Sequence, residues 1–162
     1  MKRSVLSPLL YSIVMSALWI GVLPALLLGD RERPLADLWR PVPLIVLAVI
    51  VALVGVVAVF APSRALYDRG VPLFGVAPGP VLVTDGWYGR VRNPQHIGTV
   101  LLALAPAIAL DHAWLWSVPA VAAAWLVAGL EPLEDRRLLE EFGDDFREYR
   151  TAVSRWLPKM GN

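Results

Sequence analysis

The sequence contains no cysteine and only two histidines, His96 and His112. The lack of cysteine excludes disulfides, thiol catalysis and cysteine-ligated metal sites, and it leaves the redox compartment undetermined. Neither histidine stands at a zinc-ligand spacing from another ligand, so we predict no metal site. A basic stripe with interleaved aromatic residues is also missing and the net charge is only +1. We therefore expect no nucleic-acid partner.

Charged residues are scarce as well. Asp, Glu, Lys and Arg make up 18% of the chain, whereas soluble domains usually carry about 25%. The charges are confined to four islands, within residues 1–3, 30–40, 64–92 and 131–159, and only Asp111 lies outside them. Long apolar stretches between such islands are typical of a chain that has lipid as its solvent.

Four apolar stretches are candidate transmembrane helices, at residues 5–28, 42–61, 97–110 and 113–130. The first exceeds the roughly 7–15 apolar residues of a signal peptide, so we expect it to be retained. At about 1.5 Å per residue, all but the third can cross about 30 Å of hydrocarbon. The third either extends back through Pro94 or ends inside the protein. The predicted fold is an all-α integral membrane protein of about four transmembrane helices with a C-terminal amphipathic helical tail.

We expect a single membrane domain with four parts. Two spans occupy residues 1–61, a cytoplasmic connection rich in glycine and proline occupies 62–96, a helical hairpin 97–130, and an amphipathic cytoplasmic tail 131–162. Residues 62–85 hold too much glycine and proline for a regular helix and are too apolar for a solvated loop, which predicts a semi-buried segment lining a cavity. The tail carries an apolar stripe, and Gly143 is its candidate break. The stripe consists of Leu133, Leu138, Leu139, Phe142, Phe146, Tyr149 and Val153.

The distribution of lysine and arginine predicts the orientation. The N-terminus, residues 64–92 and the tail hold most of the basic residues. Since such residues concentrate in cytoplasmic loops, we expect both termini in the cytoplasm. Several tryptophans fall near span ends, as in an aromatic belt. These are Trp39, Trp87, Trp114, Trp116 and Trp156.

Two polar clusters flank the hairpin. The first, residues 86–98, brings two arginines, an amide pair and His96 to the start of the third span. Pro94 suits a first helical turn, and the free N–H groups of that turn favour an anionic group. Gly98 allows close approach of a backbone or a ligand. The second cluster, Glu131, Glu134 and Asp135, follows the fourth span. Because a tight turn joins these two spans, both clusters are predicted at one membrane face.

Two separated blocks of sequence resemble the isoprenylcysteine carboxyl methyltransferases and related membrane phospholipid methyltransferases. The resemblance covers roughly the last 90 residues, and it agrees in spacing and order. The first block matches at Gly86, Tyr88, Arg92, Asn93, Pro94 and Gly98. The second block matches at Glu134, Leu138, Phe142, Gly143, Tyr149, Val153, Arg155 and Pro158.

The resemblance implies an S-adenosylmethionine-dependent methyltransferase acting on a lipophilic small molecule or membrane lipid. It also implies a cofactor pocket open to the cytoplasm, with Arg92, His96 and Glu134 as the catalytic candidates. Arg92 or the helix start would bind the cofactor carboxylate, and Glu134 its ammonium or a ribose hydroxyl. The implied cofactor-binding set is Leu82, Val83, Tyr88, Arg92, Asn93, Pro94, Gln95, His96 and Glu134.

Several positions differ from the family pattern. His96 stands where the family usually has tyrosine, Asp135 replaces a glutamate, and Phe146 replaces a tyrosine. Leu130 stands where eukaryotic members have an arginine that is attributed to the substrate carboxylate. The imidazole of His96 could instead serve as a base for a substrate amine or hydroxyl.

Other interpretations stay open. Arg92 could be a positive-inside anchor, His96 an interfacial residue, and Glu134 a solvated charge. Tyr88 could belong to the aromatic belt, and Asp111 with His112 could be a plain polar turn. Phe142, Phe146 and Tyr149 are expected to pack the tail rather than to bind a ligand. For the whole chain, the alternatives are an NADPH-dependent enzyme of the sterol-reductase type and a non-catalytic membrane scaffold. The substrate, the methyl-accepting atom and the oligomeric state are left open.

Overall fold

The computed structural model describes residues 42–71, 81–110 and 113–158, and these segments are helical with no strand. The helices are α1 (Val42–Tyr67), α2 (Pro94–Leu110), α3 (Ser117–Trp125) and α4 (Glu131–Ala152). A short 3₁₀ helix, Ala113–Trp116, precedes α3, and a π-helical segment, Leu126–Leu130, joins α3 to α4. The predicted span at 5–28 and the turn at 111–112 lie outside the described residues.

Helix α1 has the length and composition of a membrane span. It contains 26 residues of high mean hydropathy, and most of its large apolar side chains are exposed, including Leu53 at 60% and Phe60 at 66%. Within the described residues it is the one helix that is long and apolar enough to cross a membrane, while α2 is a shorter apolar helix of 17 residues. Exposed apolar surface on this scale is unfavourable in water and favourable in lipid.

The prediction that α1 ends at residue 61 is wrong, because the helix continues through Pro62 to Tyr67. Proline removes one N–H and crowds the preceding turn, which a helix tolerates best near an end. The hydroxyl of Ser63 donates a 2.6 Å hydrogen bond to the carbonyl of Val59 in that turn. Only from residue 68 onward does the predicted irregular connection begin, and residues 81–93 are turns and bends.

Small residues bring α1 and α2 into close contact. Ala48, Gly55 and Pro62 recur every seven residues on the buried side of α1. A Cβ atom placed on Gly98 would lie 2.7 Å from the Gly55 carbonyl oxygen and 2.7 Å from a methyl carbon of Val59. The close approach expected at Gly98 is therefore to a backbone, and it follows the small-residue packing common between membrane helices. Of the two alternatives for the third span, the structure has α2 beginning at Pro94.

The expected boundary between the fourth span and the tail is not a break in the helix. Leu126, Leu130 and Glu131 all have right-handed helical backbone angles, so α3, the π segment and α4 are continuous. The break lies at Gly143, as expected, with φ of 54° and ψ of −118°. Beyond it, Phe146 and Tyr149 are buried, whereas Leu133, which we placed on the apolar stripe, is 55% exposed. Leu133 and Leu138 are five residues apart, which is about 140° around an α-helix, so they do not share a face.

Candidate functional site

A cavity forms where the irregular segment 81–93, the first turn of α2 and the inner face of α4 meet. It encloses about 120 Å³. All nine predicted cofactor-binding residues line it, and so do several residues that the sequence analysis assigned to packing alone. The latter are Phe142, Phe146 and Tyr149. Typical ligand pockets measure roughly 300–1,000 Å³, so a nucleoside-sized ligand would extend beyond this cavity or widen it.

Backbone pairing holds the irregular segment against the end of the chain. The N–H of Arg92 donates to the carbonyl of Ser154 at 2.9 Å, and that of Asn93 donates to the carbonyl of Arg155 at 3.2 Å. Tyr149 on α4 adds a 2.7 Å hydrogen bond from its hydroxyl to the carbonyl of Tyr88. These bonds explain how a segment without regular structure keeps a fixed position beside α4.

The start of α2 is tied to the end of α1. The side-chain amide of Gln95 donates a 2.8 Å hydrogen bond to the hydroxyl of Ser63, which in turn donates to α1's own backbone. Asn93 precedes α2 and its carbonyl accepts from the N–H of Ile97. Because these contacts fix the first turn, its free N–H groups point to a defined place at the cavity wall.

Charged side chains of three segments form one continuous network at the cavity. Arg92 donates to Asp135 at 3.1 Å, and Arg155 contacts the other oxygen of Asp135 at 2.5 Å. Arg155 also lies 3.2 Å from Glu131. The network links the irregular segment 81–93, α4 and the segment after α4 that contains Arg155, so it holds these three segments in place relative to one another. The sequence analysis named Asp135 and Glu131 as a cluster, but it did not predict their pairing with Arg92 and Arg155.

His96 lies between two carboxylates. Its Nδ1 is 3.3 Å from Glu131 and its Nε2 is 3.6 Å from Glu134. The side chain of Glu131 is fully buried, that of His96 is 8% exposed, and that of Glu134 is 21% exposed. Glu134 is thus the member of the group that borders solvent.

The environments of Glu131 and Glu134 shift the pKa values of the two carboxyl groups in opposite directions. Burial raises the pKa of Glu134 to about 7, and the nearby carboxylates of Glu131 and Asp135 add to this against the opposing His96. Burial also opposes ionisation of Glu131, but hydrogen bonds from His96 and Asn93 outweigh it and hold the pKa of Glu131 below its usual range. One carboxylate therefore stays ionised while its neighbour titrates near neutral pH.

Within the part of the chain that the structure describes, two buried polar atoms at the cavity have no hydrogen-bond partner, the hydroxyl of Tyr88 and Nε of Arg92. Tyr88 is only 8% exposed, and burial raises the pKa of its hydroxyl, helped by Tyr149 and Glu134. A buried donor without a partner is unfavourable by about 1–3 kcal/mol, which a ligand in the cavity could recover.

Comparisons with known proteins give two distant relatives. The chain is 29% identical over 142 residues to methanethiol S-methyltransferase 1 of Bradyrhizobium diazoefficiens, covering 74% of this chain and 48% of that protein. It is 25% identical over 111 residues to a Delta(14)-sterol reductase of Methylotuvimicrobium alcaliphilum, covering 61% of this chain and 24% of that protein. The chain thus spans less than half the length of these relatives.

No model of a known protein family matches the chain, and no solved structure matches it significantly. The chain is accordingly a distant relative of a methyltransferase and of a sterol reductase. The resemblance to isoprenylcysteine carboxyl methyltransferases in particular stays an interpretation of its motifs.

Proposed function

We propose that the chain is an S-adenosylmethionine-dependent methyltransferase that modifies a lipophilic molecule at the inner face of the membrane. The observation that carries the proposal is the single cavity lined by Tyr88, Arg92, His96 and Glu134, which lie far apart in sequence. The similarity to a methyltransferase over 74% of the chain supports the same reaction class. The exposed apolar surface of α1, whose end borders the cavity at Leu66, supports a lipophilic substrate.

The side chains at the cavity suit the chemical groups of the cofactor. The unpartnered hydroxyl of Tyr88 and Nε of Arg92 offer donors, and the first turn of α2 offers N–H groups for a carboxylate. Glu134 offers an acceptor for an ammonium group or a ribose hydroxyl. Val83, Phe142 and Phe146 supply apolar wall for an adenine ring.

When bound, the cofactor supplies an electrophilic methyl group on a sulfonium, so the reaction needs no covalent catalysis by a protein side chain. The residues of the cavity hold the acceptor in line at about 3–3.5 Å and exclude water. The partly buried ion pairs of Asp135 with Arg92 and Arg155 keep the walls in place for this.

Calorimetric titration of the purified chain with S-adenosylmethionine tests the proposal. We expect binding, and we expect Arg92→Ala and Glu134→Ala each to weaken it by at least ~1.5 kcal/mol, the low range for a charge-assisted hydrogen bond. Glu140→Ala is the control, because Glu140 lies on α4 but is 65% exposed and pairs with Arg136. No binding by folded wild-type protein would refute the proposal, and wild-type affinity in both variants would remove those two assignments.

The similarity to a sterol reductase favours a second candidate, an NADPH-dependent enzyme. Such an enzyme needs cations for the cofactor's 2′-phosphate, and of the two arginines that line this cavity, Arg92 and Arg137, Arg92 already pairs with Asp135. Thermal unfolding with each cofactor separates the candidates. We expect stabilisation by S-adenosylmethionine and none by NADPH, and the reverse would favour the reductase. A chain that responds to neither would be a non-catalytic scaffold.

The product of the reaction requires a separate assay. Membrane extract incubated with the tritiated methyl donor should yield a labelled lipophilic product, whose methylated atom mass spectrometry identifies. Label confined to water-soluble compounds would contradict the proposed substrate class.

A further inference from the structure

Glu131 is the one charged side chain in the described residues that is fully buried without lining the cavity. It contacts Nδ1 of His96 at 3.3 Å through Oε1, and Arg155 at 3.2 Å through Oε2. His96 itself lines the cavity. Glu131 therefore lies behind the imidazole, on the side away from any ligand.

The position of Glu131 determines which ring nitrogen of His96 carries hydrogen. An ionised carboxylate only accepts hydrogen bonds, so the Nδ1 facing Glu131 must be the one that carries hydrogen. In neutral His96 the lone pair is then on Nε2, which faces Glu134. A carboxylate behind a histidine holds the tautomer and stabilises the imidazolium that forms when Nε2 takes a proton.

We propose that Nε2 of His96 removes the proton from a methyl acceptor that enters still protonated, a thiol, hydroxyl or amine, and that Glu131 is the positioning residue for this base. The inference rests on the proposed methyltransferase function and deepens it. It assigns the substrate class as a protic nucleophile rather than a carboxylate.

The charges around His96 argue against a carboxylate acceptor. Helix α4 places Glu131 and Glu134 against His96. Asp135 and Arg137 lie near Glu134, Arg92 and Tyr88 line the same cavity, and Arg155 contacts Glu131. Arg92 and Arg155 are both held by Asp135.

A second carboxylate beside Glu134 would be repelled, and it is already ionised at neutral pH, so it would need no base. Leu130, the position at which the resembling family has its carboxylate-binding arginine, is buried and apolar here. A protic acceptor is not repelled by Glu134, and it requires a base because its proton must leave before it attacks the methyl group.

The reaction balances without a further reactant. The acceptor's proton goes to Nε2 of His96 and the freed electron pair forms the bond to the methyl carbon. The carbon–sulfur bond of the donor breaks, and its electron pair stays on the sulfur. Glu134, whose Oε2 lies 3.6 Å from Nε2 and borders solvent, then receives the proton from the imidazolium and passes it to water.

Matched acceptor pairs test the assignment on the full chain. The pairs are hexanethiol and pentafluorothiophenol, phenol and pentafluorophenol, and hexylamine and aniline, and each acceptor is compared between variant and wild type so that other differences within a pair cancel. The first of each pair carries at pH 7 the proton that must leave before attack, and the second does not. Hexanoate serves as the carboxylate acceptor. The variants are Glu131→Gln and His96→Gln, with Glu140→Gln as the exposed control on the same helix.

We expect wild type to methylate at least one protonated acceptor. In both variants kcat/KM for that acceptor should fall at least ~100-fold, the low end of the range for general base catalysis. The fall for the partner acceptor should stay below ~3-fold. In Glu131→Gln the Kd for S-adenosylmethionine should also change less than ~3-fold, because Glu131 does not line the cavity. Glu131→Asp should restore part of the loss, because it keeps the charge. A structural role alone would lower all acceptors equally.

The outcomes separate the two proposals. Wild type that binds the cofactor but methylates only hexanoate overturns the substrate class, and equal losses on both members of a pair overturn the base. Thermal unfolding would reveal a Glu131→Gln variant that does not fold. In that case His96→Gln and Glu131→Asp decide, by the loss of kcat/KM for the protonated acceptor relative to the loss for its partner. Wild type that neither binds the cofactor nor methylates any acceptor refutes the proposed function itself.

Discussion

Glu131 and Glu134 stand one helical turn apart on α4, yet their pKa values move in opposite directions. The difference comes from their partners. Glu131 accepts from His96 and pairs with Arg155, whereas Glu134 has two carboxylates nearby and less compensation. Neighbouring carboxyl groups with separated pKa values are a recurrent feature of acid–base sites. The sequence located both residues, but their environments belong to the folded chain.

The raised pKa of Glu134 predicts a pH-dependent stability. Because the folded pKa of about 7 exceeds the usual 4.5, its contribution to stability is fully present below about pH 4.5 and is lost as pH rises through 7. Glu134→Gln removes the titration, so it should be more stable than wild type at pH 8, by on the order of 2 kcal/mol. Denaturant unfolding at pH 5 and pH 8 measures this. A difference that stays constant over the two pH values would contradict it.

Two tyrosines at the cavity should respond differently to loss of the hydroxyl. Tyr149→Phe deletes a buried hydrogen bond to the Tyr88 carbonyl and should destabilise the fold by about 1 kcal/mol. Tyr88→Phe deletes a hydroxyl without a partner, so stability should be unchanged or higher. Cofactor affinity should fall about 5-fold in Tyr88→Phe if the hydroxyl binds the ligand. Unfolding curves and calorimetry test both, and a destabilised Tyr88→Phe would argue against an unpartnered hydroxyl.

The crossing of α1 and α2 depends on two glycines, and substitutions there test it. A Cβ on Gly98 would approach the Gly55 carbonyl oxygen to 2.7 Å, so Gly98→Ala must push the helices apart. We expect a loss of about 1–3 kcal/mol. Gly129→Ala is the control, because its nearest neighbour would be Trp125 at an ordinary 3.6 Å. Equal unfolding midpoints for the two variants would mean that the helices do not cross at Gly98.

Helical elements were predictable to different degrees. The apolar runs at 42–61 and 97–110 predicted α1 and α2, since apolar composition marks a buried or lipid-facing helix. The end of α1 at Tyr67 was missed because residues 62–85 as a whole were judged too rich in glycine and proline for a regular helix. The π segment Leu126–Leu130 has no sequence signal that we recognise. Leu133 is exposed because the five-residue step from it to Leu138 turns an α-helix by about 140°. By contrast, the break at Gly143 was expected, because glycine is the residue that accepts a positive φ.

At the scale of the whole molecule, substitutions on the exposed side of α1 test whether this helix spans the membrane. Leu53→Arg, at a position 60% exposed, would be nearly neutral if α1 faced water. In a bilayer it should lower insertion by roughly 2.5–3.5 kcal/mol, as charged residues do at the centre of a span. Tyr67→Arg, equally exposed at the helix end, is the control. Fractionation and carbonate extraction of membranes measure insertion, and equal membrane content of both variants would contradict a transmembrane α1.

The predicted cytoplasmic location of both termini and the span at 5–28 belong to the same scale. They rest on the distribution of lysine and arginine, and reporter fusions at each terminus would test them. The described residues include one helix that meets the length and hydropathy of a span, so four spans stay a prediction.

The sequence by itself determined the helical class and the apolar α1, because composition acts locally along the chain. Its resemblance to a known family implied nine of the residues that line the cavity. Only the tertiary structure decided which charges meet. Arg155 reaches Asp135 and Glu131 because the chain end pairs with residues 92 and 93, and Glu131 reaches His96 because α4 packs beside the start of α2. Such pairings depend on distances of a few ångströms between segments far apart in sequence, which no local pattern encodes.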